Sequence, residues 1–379
     1  NGQSKQCQNL TSEIYKLDMN EWKIYKLSEI GTIIGGATPS TSNPHYYGGQ
    51  IPWITPKDLS TLNGRFIEKG ERNITEKGLS SCSAQLLPQG SILFTSRAPI
   101  GYVAIAKNPI TTNQGFKSIV PNEKVNNIFL YYLMVYNKSN IEAMGSGTTF
   151  KEVSGSTMKK VEIRIPNIDV QKRIASILAS LDDKIELNRR INDNLEELGK
   201  VLYNQILNSG YVGSQHNLGE FIDICSGKSI KPGRKGLYPI LGANGEIGRT
   251  NDFLFDGRFI YTGRVGTLGK ICRVEDEKVW MSDNTLVIKP RIGYNFIYFA
   301  LKNMNLYSYN VGSTQPLIRQ SDMKGIKISL PNHIILQDFE QMCDSLFRQI
   351  NKNNKQNMIL SSLRDTLLPK LMSGELSVE

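Results

Sequence analysis

Gly147 to Asn167 reads GTTFKEVSGSTMKKVEIRIPN, and Gly312 to Asn332 reads GSTQPLIRQSDMKGIKISLPN. The two stretches align without a gap at an offset of 165 (312 − 147), pairing Met158-Lys159 with Met323-Lys324 and Pro166-Asn167 with Pro331-Asn332. A long helical run follows each of them, Ile168 to Leu207 and His333 to Met372. The offset persists there, so that Leu181, Ile185, Asn188, Asn192, Leu195 and Leu198 meet Leu346, Ile350, Asn353, Asn357, Leu360 and Leu363. Chance similarity between short apolar patterns does not sustain an ungapped match of this length. The chain is two copies of one unit.

Heptad spacing shows what the helices are for. Ile174, Leu181, Asn188, Leu195 and Leu202 are seven apart, and Leu178, Ile185, Asn192, Gly199 and Ile206 follow the same step. A seam sustained for about five heptads is the mark of a coiled coil. From Gln171 to Leu207 it predicts about 55 Å of helix. The seam turns polar at Asn188 and Asn192, and again at Asn353 and Asn357. Asn at such positions fixes register at some cost in stability. The expected spacer contacts are Ile174, Leu178, Leu181, Ile185, Asn188, Asn192 and Leu195 against Leu346, Ile350, Asn353, Asn357 and Leu360. Matching length and polar centre favour an antiparallel pair within one chain, with the halves related by a pseudo-twofold axis. A homodimer formed through each helix separately stays open.

Length and composition set the class. The 379 residues suffice for two or three cores. A hydrophobic fraction of 39% and a mean hydropathy of −0.30 describe a soluble protein. No apolar run has the length needed to span a bilayer, and residues 1–10 lack the charged-then-apolar order of a secretory leader. Five scattered cysteines without a C-x-x-C pair argue against a disulfide framework or zinc site and fit a cytoplasmic location. Three isolated histidines, His45, His216 and His333, leave little for a His-based catalytic site. A formal charge of +10 and a pI near 9.2 lean towards a polyanion partner.

Along the chain, W-K-I-Y-K-L from Trp22 predicts a short strand running into a helix at Ser28-Glu29. Gly35-Gly36 to Pro39, Asn43-Pro44 and Gly48-Gly49 carry turn chemistry. Strands are expected at Ile51–Ile54, Ile92–Thr95, Tyr102–Ala106 and Phe116–Val120, and a helix at Asn127–Tyr136. The second copy repeats the plan. Leu218 to Phe221 resembles Leu27 to Ile30, Gly257 to Arg264 mirrors Gly90 to Arg97, and Phe296 to Lys302 repeats the short helix. Ser282-Asp283-Asn284 is placed opposite Thr111-Thr112-Asn113.

Catalytic readings fail on their own chemistry. Asn43-Pro44-His45-Tyr46 has His45 where an adenine methyltransferase needs a second proline to wall the flipped base, and no G-x-G loop offers a cofactor site. Gly263 to Lys270 has the wrong glycine spacing for a phosphate loop, and Ile271 replaces the hydroxyl residue that would hold magnesium. Asp276-Glu277-Lys278 reads as a charged surface turn rather than a hydrolase centre. No catalytic residue, metal ligand or cofactor site is expected. Binding remains. The candidate DNA contacts are Lys57, Arg65, Arg97, Asn113, Gln114 and Lys151 in the first copy. In the second they are Lys228, Lys231, Arg234, Lys235, Arg249, Arg264, Asn284 and Arg319. Arg and Lys suit guanine edges and phosphates, and Asn and Gln suit adenine edges.

WKIYKLSEIG, GGATPSTSNPHYYGGQIPWITPKDL, SILFTSRAPIG, TTNQGF, IPNIDVQKRIASILASLDDKIELN and LRDTLLPKLMSGEL together resemble the specificity (S) subunits of type I restriction-modification systems. The similarity runs from about Asn20 to Leu376. It implies two target-recognition domains and two helices that act as a ruler for the unread gap in a split DNA target. It also implies docking of methyltransferase (M) subunits, commonly two, and of restriction (R) subunits. S-adenosylmethionine, ATP and magnesium then belong to those partners, and the S subunit itself is non-catalytic. One departure matters: the second copy has SGKSIKPGRKG where the first carries P-x-Y-x-G-G-x-I-P-W, so the two half-sites should differ.

The expected fold class is α+β: two mixed domains separated by two long antiparallel helices in an intramolecular coiled coil. The expected division is a lead-in at 1–20, domains at 21–167 and 209–332, a central helix at 168–208, and a C-terminal helix and tail at 333–379. Each domain should read roughly three to five base pairs in the major groove of double-stranded DNA, with half-sites about 34 Å apart. The competing reading is a coiled-coil scaffold that does not read DNA.

Overall fold

The computed structural model describes residues 22–147, 151–266 and 268–378; the lead-in at 1–20, Cys7, Thr148 to Phe150 of the repeat and Thr267 lie outside them. Two compact units result, Asn1–Asn188 with Lys355–Glu379, and Arg189–Asn354.

In the first unit, β1 (Lys23–Lys26) leads straight into the single-turn α1 (Leu27–Ile30) and β2 (Gly31–Gly35). The middle of the domain holds β3 (Tyr47–Ile54), α2 (Pro56–Ser60), β4 (Phe66–Ile67), β5 (Arg72–Ile74) and α3 (Glu76–Ser80). Then come β6 (Ile92–Ser96), β7 (Ile100–Ala106), β8 (Thr111–Thr112), β9 (Lys117–Pro121), α4 (Asn127–Tyr136), α5 (Lys138–Ala143), α6 (Gly155–Lys160) and β10 (Glu162–Ile165). A five-stranded sheet runs β2-β9-β6-β7-β4 and a three-stranded one β5-β3-β8, while β1 and β10 form a separate antiparallel ribbon. α4 is apolar nearly all round because it is inside. Phe129, Leu130 and Leu133 pack on Ile92, Phe94 and Ile119 of the sheet and on Ile174 and Leu178 of the long helix α7 (Ile168–Asn208).

The second unit begins with β11 (Val212–Asn217) and β12 (Ile222–Ser226), followed by β13 (Tyr238–Gly242), β14 (Gly245–Thr250), β15 (Phe259–Gly263), β16 (Ile271–Val274), β17 (Trp280–Met281) and β18 (Thr285–Pro290). α8 (Tyr294–Asn303), α9 (Gln320–Gly325), β19 (Lys327–Pro331) and α10 (His333–Ser373) complete it. Its sheets run β12-β18-β15-β16 and β14-β13-β17, with β11 and β19 as the ribbon. This is the order of the first unit, without a counterpart of β4 among the described residues.

α7 and α10 each have 41 residues, about 60 Å of helix. Both start the same way. Proline ends the preceding strand, and Asn caps the helix: Asn167 Oδ1 accepts from Val170 N at 3.0 Å, and Asn332 Oδ1 from Ile335 N at 3.0 Å. The unit boundary cuts through both helices, so each unit contains one segment of each. Within the first unit Arg364 reaches Asp182 and Asn357 meets Asn188, and within the second Asn353 meets Asn192. Numbers fall on one helix as they rise on the other, which makes the pair antiparallel.

Apolar seam positions flank this polar centre. Ile174, Leu178 and Ile185 are buried, and Leu181, Leu195, Leu346, Ile350 and Leu360 are half-buried. Leu198 and Leu363, also paired by the repeat, face outward. Asn188, 1% exposed, donates to Asn357 Oδ1 at 2.8 Å and Gln356 Oε1 at 2.9 Å. Its counterpart Asn353 donates to Asn192 Oδ1 at 2.8 Å, and Asn192 to Asn354. Further along α7, a Cβ on Gly199 would sit 2.5 Å from Cζ of Phe299, a ring buried among Phe296, Phe339 and Phe347.

Candidate DNA-reading surface

In the first unit, backbone bonds gather the strand ends onto one rim. A Cβ on Gly36 would lie 2.0 Å from the Asn113 carbonyl oxygen and 2.4 Å from that of Thr112, so only glycine admits this approach. Ala37 N donates to Thr112 O at 3.0 Å, and the buried Trp53 indole donates to Ala37 O at 3.0 Å. Ser96 N bonds Gly115 O at 2.7 Å, and Val153 N bonds Ser96 O at 2.9 Å, which draws residues 151–153 to the same place. Pro56 packs on Gly115. Arg97, Asn113, Gln114 and Lys151 therefore stand on adjoining loops, with Lys57 beside them in the first turn of α2.

Their heads differ in availability. Arg97 lies 3.7 Å from Glu152, whose other oxygen takes Lys117 at 3.3 Å. Lys57 pairs with Glu71 at 2.7 Å, and that hydrogen bond pushes its ammonium above, and Glu71 below, the ordinary value. Asn113 Oδ1 closes the turn by accepting from Gly115 N at 2.9 Å, and Gln114 accepts from the Thr38 hydroxyl. Lys151 is exposed.

The second unit builds the same rim from other residues. Cβ on Gly227 would lie 2.1 Å from Ser282 O and 2.3 Å from Met281 O. Lys228 N donates to Met281 O at 2.9 Å, and Trp280 donates its indole to Lys228 O at 2.9 Å. Arg264 N bonds Asn284 O at 2.8 Å, and Ile318 N bonds Arg264 O at 3.1 Å, which brings in Arg319. Lys228, Arg264, Asn284 and Arg319 thus share one cluster. Lys231, Arg234 and Lys235 are exposed on a strap that lies along β14 through the Gly233–Arg249 pair of backbone bonds, 3.1 and 2.9 Å. Arg249 spends its guanidinium on Glu246 at 3.0 Å and on Gly236 O at 3.2 Å.

Arg65 does not join either rim, and its reading as a DNA contact is corrected. It is 7% exposed and turned onto α7, donating to Asp183 Oδ1 at 2.5 Å, to Ala179 O at 3.2 Å and to the Tyr132 hydroxyl at 3.3 Å. Burial lowers its pKa, but Tyr132, Asp183 and Asp182 outweigh burial and hold it above the ordinary value.

The repeat alignment also needs a correction. Gly36 N bonds Phe116 O as Gly227 N bonds Thr285 O, and Asn113 N bonds Ile54 O as Ser282 N bonds Leu241 O. The counterparts of Thr111-Thr112-Asn113 are therefore Trp280-Met281-Ser282, two residues earlier than the sequence placed them. Asn284 stands where Gly115 stands.

A family profile described as "type I restriction modification DNA specificity domain" matches this chain twice, over residues 19–197 and 215–359. The chain belongs to that family. It is a non-catalytic specificity subunit of the type I restriction-modification class, built of two DNA specificity domains. It is 36% identical to the type I restriction enzyme MjaIX specificity subunit of Methanocaldococcus jannaschii, covering 95% of this chain and 94% of that one. The EcoprrI specificity subunit of Escherichia coli is 26% identical over 86% of this chain and 89% of its own. Among solved structures, the S subunit from M. genitalium superposes with a TM-score of 0.58 at 18% identity, covering 93% of this chain and 96% of that one, a likeness of fold.

The specificity subunit's remaining motifs take structural places. Pro44 to Tyr46 form one 3-10 turn, and Asp276 to Lys278 are exposed between β16 and β17. Among the described residues no group of three or more His, Cys, Asp or Glu side chains could hold a metal ion, and no helix is long and apolar enough to cross a membrane. Sequence reasoning missed Thr38 and Lys117 on the first rim and Lys270, whose ammonium donates to Asn244 O at 3.1 Å beside β14. Their signal was only proximity in sequence to a glycine turn.

Proposed function

We propose that this specificity subunit reads a split, asymmetric double-stranded target, one half with each domain, taken as 21–167 and 209–332. The helices at 168–208 and 333–379 then set the gap and dock two M subunits, with R subunits joining the complex in the cytoplasm. S-adenosylmethionine, ATP and magnesium are supplied by those partners.

The observation that carries this reading is that the same backbone scaffold presents different side chains in the two domains. Arg97, Asn113, Gln114 and Lys151 ring the Gly36 approach, whereas Lys228, Arg264, Asn284 and Arg319 ring the Gly227 approach. Equivalent positions with unlike donors and acceptors read unlike base edges. Cationic heads beside them place the domains on phosphates without choosing sequence.

The test is selection from random duplex DNA by the chain assembled with its M subunit. Two different short motifs at one fixed gap are expected, with affinity falling steeply between about 50 and 200 mM salt. One continuous motif would mean that a domain is idle. No enrichment at low salt would replace this reading with that of a scaffold.

A further inference from the structure

Each target domain is tied to its helix segments by charge pairs, the first unit's Arg65–Asp182 buried and the second unit's Arg258–Asp344 partly so, as well as by apolar packing. In the first unit Asp182 of α7 is the hub. It accepts from the Tyr132 hydroxyl at 2.5 Å and from Arg364 of α10 at 2.7 Å, and Arg65 Nη1 lies 3.5 Å away. Arg65 extends the link to Asp183 and to the Ala179 carbonyl. In the second unit Arg258 donates to Asp344 of α10 at 2.6 Å and to Asn295 at 3.1 Å, with Glu275 at 3.2 Å. Asn295 donates to the same Asp344 oxygen at 2.7 Å and to Glu340 at 2.9 Å, and Arg273 lies 3.3 Å over the Phe347 ring.

The two clusters meet the helices at one place. Asp344 is the repeat counterpart of Ala179, 165 positions on (344 − 179), so an arginine grips the same helical turn in both units. Yet the arginines do not correspond. Arg65 precedes β4, which has no counterpart among the described residues of the second unit, and Arg258 precedes β15. One chain has arrived twice at the same grip from different strands. Apolar surfaces tolerate small rotations at little cost, whereas a guanidinium fork with several directional bonds does not. Ion pairs taken out of water add little net stability, so geometry is the role left for such networks to play.

We propose that Arg65 with Asp182 and Arg258 with Asp344 are positioning residues that lock the angle of each target domain on its helices and thereby restrict the specificity subunit to one half-site gap. This rests on the split-target reading above. The clamp leaves the reading loops alone, so it governs where a half-site is accepted and not which bases it contains.

The experiment assembles full-length Arg65→Met, Arg65→Lys and Arg258→Met chains with the M subunit. It measures methyl transfer to duplexes carrying the wild-type half-sites at the selected gap and at one base pair more or less. The selected gap should still be methylated, and the ratio of off-gap to on-gap methylation should rise at least tenfold in all three. Arg65→Lys keeps the charge and loses the fork, so recovery of the wild-type ratio in that variant would overturn the angular role. An unchanged ratio in every variant, with only a lower melting temperature, would assign the clusters to stability alone. If Arg65→Met does not assemble, Asp183→Asn removes one clamp bond at an exposed carboxylate and is read by the same ratio. Failure of the wild-type complex to enrich two motifs would refute the split-target reading itself and is scored separately.

Discussion

Trp53 and Trp280 make the same bond from different strands. Each donates its indole N–H to the carbonyl of the residue after a close-packed glycine, Ala37 in the first domain and Lys228 in the second. Trp53 comes from β3 and Trp280 from β17, which is the counterpart of β8. These two strands pair in parallel side by side in both domains, Trp53 opposite Thr111 and Ile240 opposite Trp280, so either can place a tryptophan over the loop. What recurs is the loop carbonyl and its need for a donor. The residue that meets the need differs between the domains, as do the side chains around it.

The largest effect is expected at the glycines. Alanine at Gly36 or Gly227 forces a Cβ to within 2.4 Å of two carbonyl oxygens, and both are backbone atoms that cannot swing aside. Each variant should lose on the order of 3 kcal/mol and the half-site of its own domain only. Equilibrium unfolding and selected motifs check both; loss of both half-sites from one substitution would show that the domains are not independent readers.

The next effect is on the helices. Leucine at Asn188, Asn192, Asn353 and Asn357 together should raise stability by about 1–2 kcal/mol, since burying Asn at a seam costs stability. It should also spread the accepted gap over several values. A single unchanged gap in the selected motifs would remove these residues from register setting.

Smaller changes separate the two tryptophans. Trp53→Phe leaves a carbonyl unpaired in a buried setting and should cost about 1–2 kcal/mol. Trp280 is half-buried, so Trp280→Phe should cost about half as much because water replaces the donor. Equal losses in thermal unfolding would contradict this ordering.

The least effect concerns a contact that, among the described residues, is found in the second unit. Glu196 of α7 accepts from Tyr298 and Lys302, and its repeat counterpart is Ser361. Burial raises the Glu196 pKa, but the Lys302 and Tyr298 bonds outweigh it and hold the carboxyl below the ordinary value. Its stabilisation is then complete above the ordinary carboxylate pKa of about 4.3 and fades as pH falls through the depressed folded value. Glu196→Gln should cost about 1 kcal/mol at neutral pH, discounted for partial exposure, and should flatten the acid limb of the stability profile. Parallel acid limbs for wild type and variant would exclude this carboxyl.

Local and periodic features were legible in the sequence. The constant offset, the heptads and the Pro-Asn starts led to both 41-residue helices, because helix periodicity and capping are written within a few residues. Long-range pairing was not. Arg65 looks like any loop arginine, and its partner Asp183 lies 118 residues away. The two-residue slip at Thr111 to Asn113 came from matching Asn113 to Asn284, when the first copy uses its Asn side chain to close a turn and the second accepts through its Asn carbonyl. β4 went unseen because a two-residue strand carries no period.

Gly199 turns α7 into a phased shaft. Facing the Phe299 ring with no side chain of its own, it marks one rotational position on a helix that advances about 100° per residue. An inserted residue upstream would swing a neighbour such as Leu198 or Lys200 towards the ring, where there is no room. Seven inserted residues would bring the glycine back to within about 20°. The shaft therefore keeps its phase only for insertions that complete whole turns, such as seven residues, about 10 Å of helix, or eleven, about 16 Å.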